Sequence, residues 1–418
     1  MKVFKFGGAS VRDAQAVKNL RDIIGNQGMP PLTIVVSAMG KSTNLLEKLL
    51  ELSISHKVYS NQFEQFKIFH NNICQELFND PEHLVFQKLK QLYAQLSECL
   101  ENPETNTDKM YDRVVSYGEL SSTLIVHTYL ISTGIDCQLL DARDLIKTDS
   151  NYREGNVKWD LTGSAVNQHI NQNSRYLTQG FIAMDEHGHS ITLGREGSDF
   201  TAAILASCLN AESVTIWKDV PGVLNADPDL WKDTVKYDVL SYGEAAEMTY
   251  YGASVIHPKT IRPLAVRKIP LLVKSFYHPQ ASGTMIMEIQ HEKLEPAIIF
   301  KKGQCLISFQ MRDFSFINQS KLNLIFRLFE QFDIQVNMMQ SSAISFSVSV
   351  DSPDSSMKNI INSLSEEFEI LYNDHLELIT IKNYRQSLIP EVIQNRIVLL
   401  EQKTRKNYQV LVSTRNSE

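Results

Sequence analysis

Short apolar runs alternate along the first 290 residues with longer segments in which apolar residues recur at helical spacing. The runs Val3–Phe6, Leu32–Val36 and Ser213–Trp217 are rich in β-branched and aromatic residues, which is typical of buried strands. Over Thr43–Leu100 the leucines recur near the 3.6-residue period, which predicts helices with one buried face. This alternation predicts an open α/β sheet. Ligands bind such sheets where a strand ends in small residues before a helix, as at Ser37.

The pattern changes after about residue 290. Glu292–Pro296 is a polar linker that ends in proline, and Leu306–Met311 and Ala343–Val350 alternate with period two, as half-buried strands do. Amphipathic helices are predicted at Leu324–Phe332 and Met357–Leu364. With further strands near residues 334 and 369, the order becomes β-α-β-β-α-β, which is typical of a ferredoxin-like unit.

A second, shorter series of elements follows the ferredoxin-like unit. It comprises a strand at Leu376–Ile381, a helix at about Pro390–Glu401 and a strand at Tyr408–Val412. This series is too short to form a complete unit of its own. The sequence therefore predicts two domains, residues 1–290 and residues 298–418, of which the second contains one full and one shortened unit.

Composition excludes several classes of function. The 418-residue chain has a mild net charge of −7 and no basic tract, which makes nucleic acid an unexpected partner. No apolar stretch reaches the length of a membrane span, and the chain enters a core strand without a signal-peptide pattern. Its five cysteines are scattered without metal or disulfide spacing, so we expect a cytoplasmic protein with no protein-bound metal site.

The turn after the first strand carries candidate chemistry. Lys5 interrupts the apolar run, and a lysine is costly to bury unless an anion accompanies it. Gly7 and Gly8 let backbone N–H groups approach an anion, and Ser10 is expected to cap a helix over about Val11–Ile24. The combination predicts a phosphate cradle. The alternative is a tight strand–helix turn with a surface lysine.

Two further stretches carry candidate anion-binding and cation-binding groups. Gly194–Asp199 places Arg195, Ser198 and Asp199 between a strand and a helix N-terminus, where a guanidinium fork, N–H groups and a helix dipole can bind carboxylate or phosphate. Asp199 could instead be a plain helix cap. Glu119 precedes an apolar helix, so it either complements the helix dipole or binds an ammonium group.

The stretch from Lys218 to Asp229 is rich in turn-forming residues. It is either an ordinary exposed loop or a wall of a nucleotide pocket. Asp219 and Asp227 are its candidate nucleotide-binding residues, together with Lys218.

Five motifs stand in the order of the aspartokinase family, which belongs to the amino-acid kinase superfamily, and the chain resembles that family over about residues 1–287. The resemblance implies an open sheet with helices on both faces. It also implies ATP-dependent phosphorylation of the 4-carboxylate of L-aspartate, the first step toward lysine, threonine and methionine. The motifs are Lys5-Phe-Gly-Gly-Ala-Ser10, Gly118-Glu119, Gly194-Arg-Glu-Gly-Ser-Asp199, Asp219-Val-Pro-Gly222 with Asn225-Ala-Asp-Pro228, and Gly252-Ala-Ser-Val-Ile-His-Pro258.

The resemblance also implies a role for each site residue. Lys5 would bridge the transferring phosphoryl group, and Asp199 would organise Lys5 and Mg²⁺ without acting as a base, because the acceptor carboxylate is already ionised. The aspartate contacts would be Glu119, Arg195, Ser198 and Ser37, and the MgATP contacts Gly7, Gly8, Ser10, Lys218, Asp219 and Asp227.

The chain departs from the family pattern mainly at the nucleotide side. Ala9 replaces a usual Thr, Leu224 a common Tyr, Ser254 a common Lys and Asp229 a common Arg. These changes remove two positive charges from a polyphosphate site. Three nearby lysines are candidates to compensate for them, namely Lys218, Lys232 and Lys259.

The C-terminal region resembles ACT regulatory modules, which implies a homodimer or higher homo-oligomer and an amino-acid effector. Ala343 stands where regulated aspartokinases commonly carry a glutamate. We therefore expect weak inhibition by lysine alone, with threonine or another small neutral amino acid as the effector. Two other functions stay open: a different carboxylate or carbamate kinase of the superfamily, and a non-catalytic amino-acid sensor with a decayed kinase domain.

Overall fold

The computed structural model describes residues 1–171, 173–253, 256–289, 294–352 and 356–413. The chain divides into two compact units, each assembled from three segments of sequence. The first unit comprises Met1–Val223, Lys236–Ala246 and Val255–His291, and the second comprises Leu224–Val235, Glu247–Ser254 and Glu292–Glu418.

An eight-stranded sheet organises the first unit. Its strand order is β3-β4-β2-β1-β7-β9-β10-β8, and the strands from β3 to β9 are parallel, whereas β10 runs antiparallel to β9. The strands are β1 Lys2–Phe6, β2 Leu32–Val36, β3 Gln138–Leu140, β4 Arg175–Gln179, β7 Ser213–Lys218, β8 Val239–Ser241, β9 Leu271–Ser275 and β10 Thr284–Met287, and a separate hairpin pairs β5 Ile182–Met184 with β6 Ser190–Thr192.

Helices connect and cover these strands. They are α1 Ala14–Gln27, α2 Ser42–Ile54, α3 Ser60–Phe78, α4 Leu84–Glu101, α5 Thr107–Ser132, α6 Ala142–Leu145, α7 Trp159–His169, α8 Gly197–Leu209, α9 Tyr242–Tyr250 and α10 Pro258–Arg267. Ser10 does not cap the first helix as expected. It lies in a short 3-10 turn, Gly8–Val11, and Asp13 caps α1 by accepting a hydrogen bond from Ala16 N at 2.8 Å.

The second unit contains a six-stranded antiparallel sheet with the order β12-β13-β11-β14-β16-β15. Its elements are β11 Ala297–Met311, α11 Gln319–Gln331, β12 Val336–Ser341, β13 Ser345–Asp351, α12 Ser356–Leu364, β14 Phe368–Lys382, α13 Leu388–Ile393, β15 Val398–Lys403 and β16 Asn407–Ser413. The helix predicted over 390–401 is therefore wrong in its second half, which pairs with β16 as a strand.

Two long strands explain why the second series of elements appeared short in the sequence. β11 and β14 pair along most of their lengths, with register shifts between Lys301 and Leu306. The distal part of β11, from Gln304 to Gln310, pairs with β13, and the part of β14 from Leu376 to Lys382 pairs with β16. The predicted open α/β sheet, followed by an α+β region, is confirmed. No helix in the described part of the chain is both long and apolar enough to cross a bilayer.

Candidate active site

The lysine of the first strand forms a close ion pair across the site. Lys5 Nζ lies 2.5 Å from Asp199 Oδ1, and the Lys218 ammonium lies 4.0 Å from the other carboxylate oxygen. Lys5 lies on β1, Lys218 at the end of the adjacent β7, and Asp199 in the first turn of α8. Two ammonium groups therefore flank one buried carboxylate, and the cluster carries one net positive charge to meet an anion.

The glycine turn after β1 allows two loops to pack closely. A Cβ atom at Gly8 would lie 3.0 Å from the carbonyl oxygens of Ala38 and Gly40, and one at Gly7 would lie 3.2 Å from Lys5 Nζ. The Ser10 hydroxyl donates a hydrogen bond to the carbonyl of Trp217 at 3.3 Å, which ties this turn to β7. A side chain at Gly8 would therefore crowd the backbone of the next loop, and one at Gly7 would displace the Lys5 ammonium group.

Glu119 is a buried carboxylate without a cation to balance it among the described residues. It lies in the middle of α5, not near a helix start as the sequence had suggested, and its side chain is almost fully buried. Oε1 accepts a hydrogen bond from Ala38 N at 3.3 Å, whereas Oε2 has no hydrogen-bond partner in the described part of the chain. Desolvation by this burial raises the pKa of Glu119 to about 8.

The loop between β6 and α8 presents the other predicted residues. Glu196 adopts a left-handed conformation (φ 53°) at the start of α8, and its carboxylate accepts a hydrogen bond from His257 N at 2.9 Å. Ser198 packs against Gly180 so closely that a Cβ at Gly180 would lie 2.4 Å from it. The Arg195 guanidinium is exposed and makes no hydrogen bond or ion pair to the described residues, so its fork is free to bind a carboxylate.

These groups line one cavity of about 710 Å³, large enough for a nucleotide or a small amino acid with phosphate groups. Seven of the predicted residues contribute to its wall: Lys5, Ser37, Glu119, Arg195, Ser198, Asp199 and Lys218. Gly7, Gly8 and Ser10 shape the turn beside it. Asp219 is exposed in the loop after β7, and Asp227 belongs to the second unit, where it accepts a hydrogen bond from Asp229 N at 2.9 Å.

Sequence analysis missed several residues of the cavity wall. Arg153 lies over the Tyr111 ring at 3.9 Å from its centre, and the Tyr111 hydroxyl donates a hydrogen bond to Glu47 at 2.8 Å. These three residues come from separate parts of the chain, and no local pattern marks them. One departure from the family pattern, Ser254, lies outside the described residues.

Four carboxylates line the cavity, those of Glu47, Glu119, Glu196 and Asp199, but they do not form a preassembled metal site. No group of three or more His, Cys, Asp or Glu side chains suited to a metal occurs among the described residues. Mg²⁺ in phosphoryl-transfer sites is usually held by one or two carboxylates together with substrate phosphates. Asp199, the buried carboxylate of the lysine cluster, therefore fits a magnesium ion that enters with a nucleotide.

Comparisons with known proteins identify the family of the chain. The amino acid kinase family model matches residues 1–275. Aspartokinase 1, chloroplastic, from Arabidopsis thaliana is 31% identical over 84% of this chain, and lysine-sensitive aspartokinase 3 from Escherichia coli is 31% identical over 84%. The chain spans 63% of the length of the first relative and 79% of the second.

Solved structures match the chain over nearly its whole length. The structure of E. coli aspartokinase III with aspartate and ADP has a TM-score of 0.83 and 25% identity, covering 99% of this chain and 96% of that one. The structure of the same enzyme with lysine and aspartate has a TM-score of 0.81 with the same identity and coverage. The family predicted from the five motifs is confirmed: the chain belongs to the amino acid kinase family and, within it, to the aspartokinases.

Proposed function

We propose that the chain is an aspartate kinase that transfers the γ-phosphoryl group of ATP to the 4-carboxylate of L-aspartate, giving 4-phospho-L-aspartate and ADP. One observation carries the proposal. A single cavity combines a lysine–aspartate–lysine cluster, suited to a phosphoryl group, with a free guanidinium and an unbalanced buried carboxylate, suited to the two charged ends of an amino acid. The relatives, among them an aspartokinase bound to aspartate and ADP, support it.

Charge complementarity assigns the ends of the substrate. The Arg195 fork would hold the α-carboxylate, and the Glu119 carboxylate would pair with the α-ammonium group. An ammonium group beside Glu119 would supply the positive charge that this buried carboxylate lacks among the described residues. Ser198 and Ser37, on the same cavity wall, would donate hydrogen bonds to the substrate.

Phosphoryl transfer requires alignment and charge neutralisation more than covalent help from the protein. The side-chain carboxylate of aspartate is ionised at neutral pH and needs no base. Lys5 would neutralise the charge that develops on the transferring group, and Asp199 would hold Lys5 in place. Mg²⁺, when bound with ATP near Asp199, would supply further neutralisation of the phosphate charge.

Among the three lysines considered as compensation at the nucleotide side, Lys218 is best placed. It lines the cavity and approaches Asp199, whereas Lys259 is paired with Glu154. Lys232 belongs to the second unit. We infer that Lys218 supplies part of the positive charge lost at Ser254 and Asp229.

The second unit would be the regulatory and dimerisation region. β12 forms one edge of its antiparallel sheet and carries Met339, which is 54% exposed. An unpaired edge strand with exposed apolar residues is a template for pairing with a second copy. The predicted effector would bind near the loop between β12 and β13 that contains Ala343.

A coupled assay of ADP release tests the proposed function. L-aspartate, L-glutamate and N-acetyl-L-glutamate are supplied separately with MgATP, and turnover is expected with aspartate alone. Turnover with another carboxylate would indicate a different kinase of the superfamily. Aspartate binding by calorimetry without any ADP release would indicate a sensor that has lost catalysis.

A further inference from the structure

The first unit contains a second cavity, of about 280 Å³, that the proposed reaction does not use. Its wall is formed by α5, by the residues just before it, by α6 and by the turn leading into β6. The side chains that matter here are Glu104, Lys109, Arg113, Tyr117, Arg143 and His189. None of them lines the larger cavity.

The Tyr117 hydroxyl group lines this cavity without a protein partner. The residue is 9% exposed, and its hydroxyl makes no hydrogen bond to any residue that the structure describes. The hydroxyl is not among the fully buried polar atoms that lack a partner, so it reaches the space of the cavity. A ligand that accepts a hydrogen bond at this position would give the donor a fixed partner.

Three basic side chains line the same cavity as the Tyr117 hydroxyl group. Lys109 and Arg113 share the Glu104 carboxylate, at 2.6 Å and 3.4 Å respectively. Arg143 also lines the cavity. The cavity lining thus contains three cationic side chains and one carboxylate, that of Glu104. Because Arg113 contacts Glu104 at 3.4 Å, its guanidinium can also bind a second anion.

Two carboxylates outside the lining hold the remaining basic groups in position. Asp141 accepts hydrogen bonds from Arg143 Nε and Nη2 at 2.9 and 2.6 Å, and Arg143 Nη1 donates to the Ser190 hydroxyl at 3.3 Å. His189 Nδ1 lies 3.1 Å from Asp185, which leaves Nε2 for another contact. These contacts fix donors on opposite walls before any ligand arrives.

We propose that this second cavity binds a small oxyanion of the phosphate class, with the Tyr117 hydroxyl donating a hydrogen bond and Lys109, Arg113 and Arg143 supplying the charge. The lining contains no aliphatic side chain, which disfavours a ligand with a large apolar part. A tetrahedral dianion accepts hydrogen bonds in several directions and fits a volume of about 280 Å³.

The test must separate this site from the larger cavity, because both cavities border α5 and β6. Tyr117 and Glu119 are two residues apart on α5, as are Ser190 and Thr192 on β6. Inorganic phosphate is therefore titrated by calorimetry into the full-length Lys5→Ala protein, which lacks the ammonium group expected to bind phosphate in the larger cavity. Potassium chloride at matched ionic strength is the blank.

We expect one phosphate-binding event in the Lys5→Ala background. Adding Tyr117→Phe, which removes only the hydroxyl, should weaken binding about tenfold or more, since a hydrogen bond to a charged group is lost. Arg113→Gln should act similarly. The matched controls are Tyr129→Phe, a buried tyrosine of the same helix that does not line the cavity, and Arg385→Gln, an exposed arginine paired with Glu295.

Four results would overturn the proposal. They are the absence of phosphate binding in the Lys5→Ala protein, an equal response to chloride, Tyr117→Phe behaving like Tyr129→Phe, and Arg113→Gln behaving like Arg385→Gln. Circular dichroism checks that each variant is folded. If Tyr117→Phe does not fold, the comparison of Arg113→Gln with Arg385→Gln decides the test. None of these measurements depends on aspartate turnover, so a negative result here would not contradict the proposed kinase function.

Discussion

Replacing Glu119 by glutamine should abolish a pH dependence of aspartate binding that we expect of the wild-type protein. Burial raises the pKa of this carboxylate from 4.5 to about 8, so most of the free enzyme carries a protonated Glu119 at neutral pH. Binding the substrate ammonium requires the ionised form. The proton must therefore leave Glu119 when aspartate binds, and the affinity for aspartate should rise with pH.

The magnitude follows from the fraction of ionised carboxylate. With a pKa of about 8, that fraction rises roughly 25-fold between pH 6.5 and pH 8.5, and kcat/KM for aspartate should rise by a similar factor. KM for ATP should vary far less. Glu119→Gln should lose the pH dependence and bind aspartate about ten- to a hundredfold more weakly, because a charge-assisted contact worth roughly 1.5–3 kcal/mol is lost.

The stability of the free protein provides an independent readout of the same group. The pKa of Glu119 is higher in the folded protein than its unfolded value of 4.5, so the protonated side chain favours the folded state. This contribution to the free energy of unfolding is complete below pH 4.5 and is lost as pH rises through about 8. The full span corresponds to at most roughly 5 kcal/mol. Glu119→Gln should therefore be more stable than wild type at pH 8.5, and aspartate should narrow the difference by stabilising the wild-type protein.

Steady-state kinetics from pH 6.5 to 8.5, with both substrates varied, measures the first effect, and urea unfolding at pH 5.5 and pH 8.5 measures the second. A wild-type kcat/KM for aspartate that is flat over this range would refute the assignment of Glu119 to the substrate ammonium. So would a Glu119→Gln variant that keeps the slope. Equal stability of the two proteins at pH 8.5 would refute the raised pKa.

Four further predictions follow from the described contacts. Lys5→Ala should lower kcat on the order of 10²-fold or more while the protein stays folded, whereas Lys2→Ala, an exposed lysine of the same strand, should leave kcat within twofold. Arg195→Ala should raise KM for aspartate far more than KM for ATP, and a larger change for ATP would reverse the placement of the ligands. Burial lowers the pKa of His70 from 6.5 to about 4, so the protein should lose stability as pH falls through this window, and His70→Leu should flatten that part of the urea-unfolding profile. Titration of activity with lysine and threonine, separately and together, should show weak inhibition by lysine alone; strong micromolar inhibition would mean that another acidic residue replaces the carboxylate missing at Ala343.

The meeting of Lys5 and Asp199 at one cavity could be predicted because short runs of consecutive residues encode each part. Lys5, Gly7 and Gly8 stand together on one strand and its turn, and Asp199 stands at the start of one helix. Apolar runs predicted the strands that carry these residues, and parallel pairing of β1 with β7 explains how Lys5 and Lys218 meet. Local pattern and sheet topology were sufficient here.

The position of Glu119 within its helix could not be predicted in the same way, because tertiary packing determines it. Gly118 suggested a helix start before Glu119, yet both residues lie in the middle of α5. A Cβ at Gly118 would lie 3.1 Å from the Ala38 side chain and 3.3 Å from Leu46, so the glycine allows the helix to approach the loop after β2. Tertiary packing thus overrides the low helix propensity of glycine.

This close approach also explains how the protein retains a carboxylate in its interior. With no side chain at Gly118, α5 comes near enough for Ala38 N to donate a hydrogen bond to Glu119 Oε1. That one hydrogen bond only partly offsets the cost of desolvating the ionised carboxylate, so the pKa of Glu119 stays high. An ammonium group that binds beside Glu119 would stabilise the ionised carboxylate further. A larger residue at position 118 would move the helix outward and hydrate the carboxylate. The pKa of Glu119 would then fall toward its ordinary value, and aspartate would lose the desolvated partner that distinguishes an amino acid from a simple carboxylate.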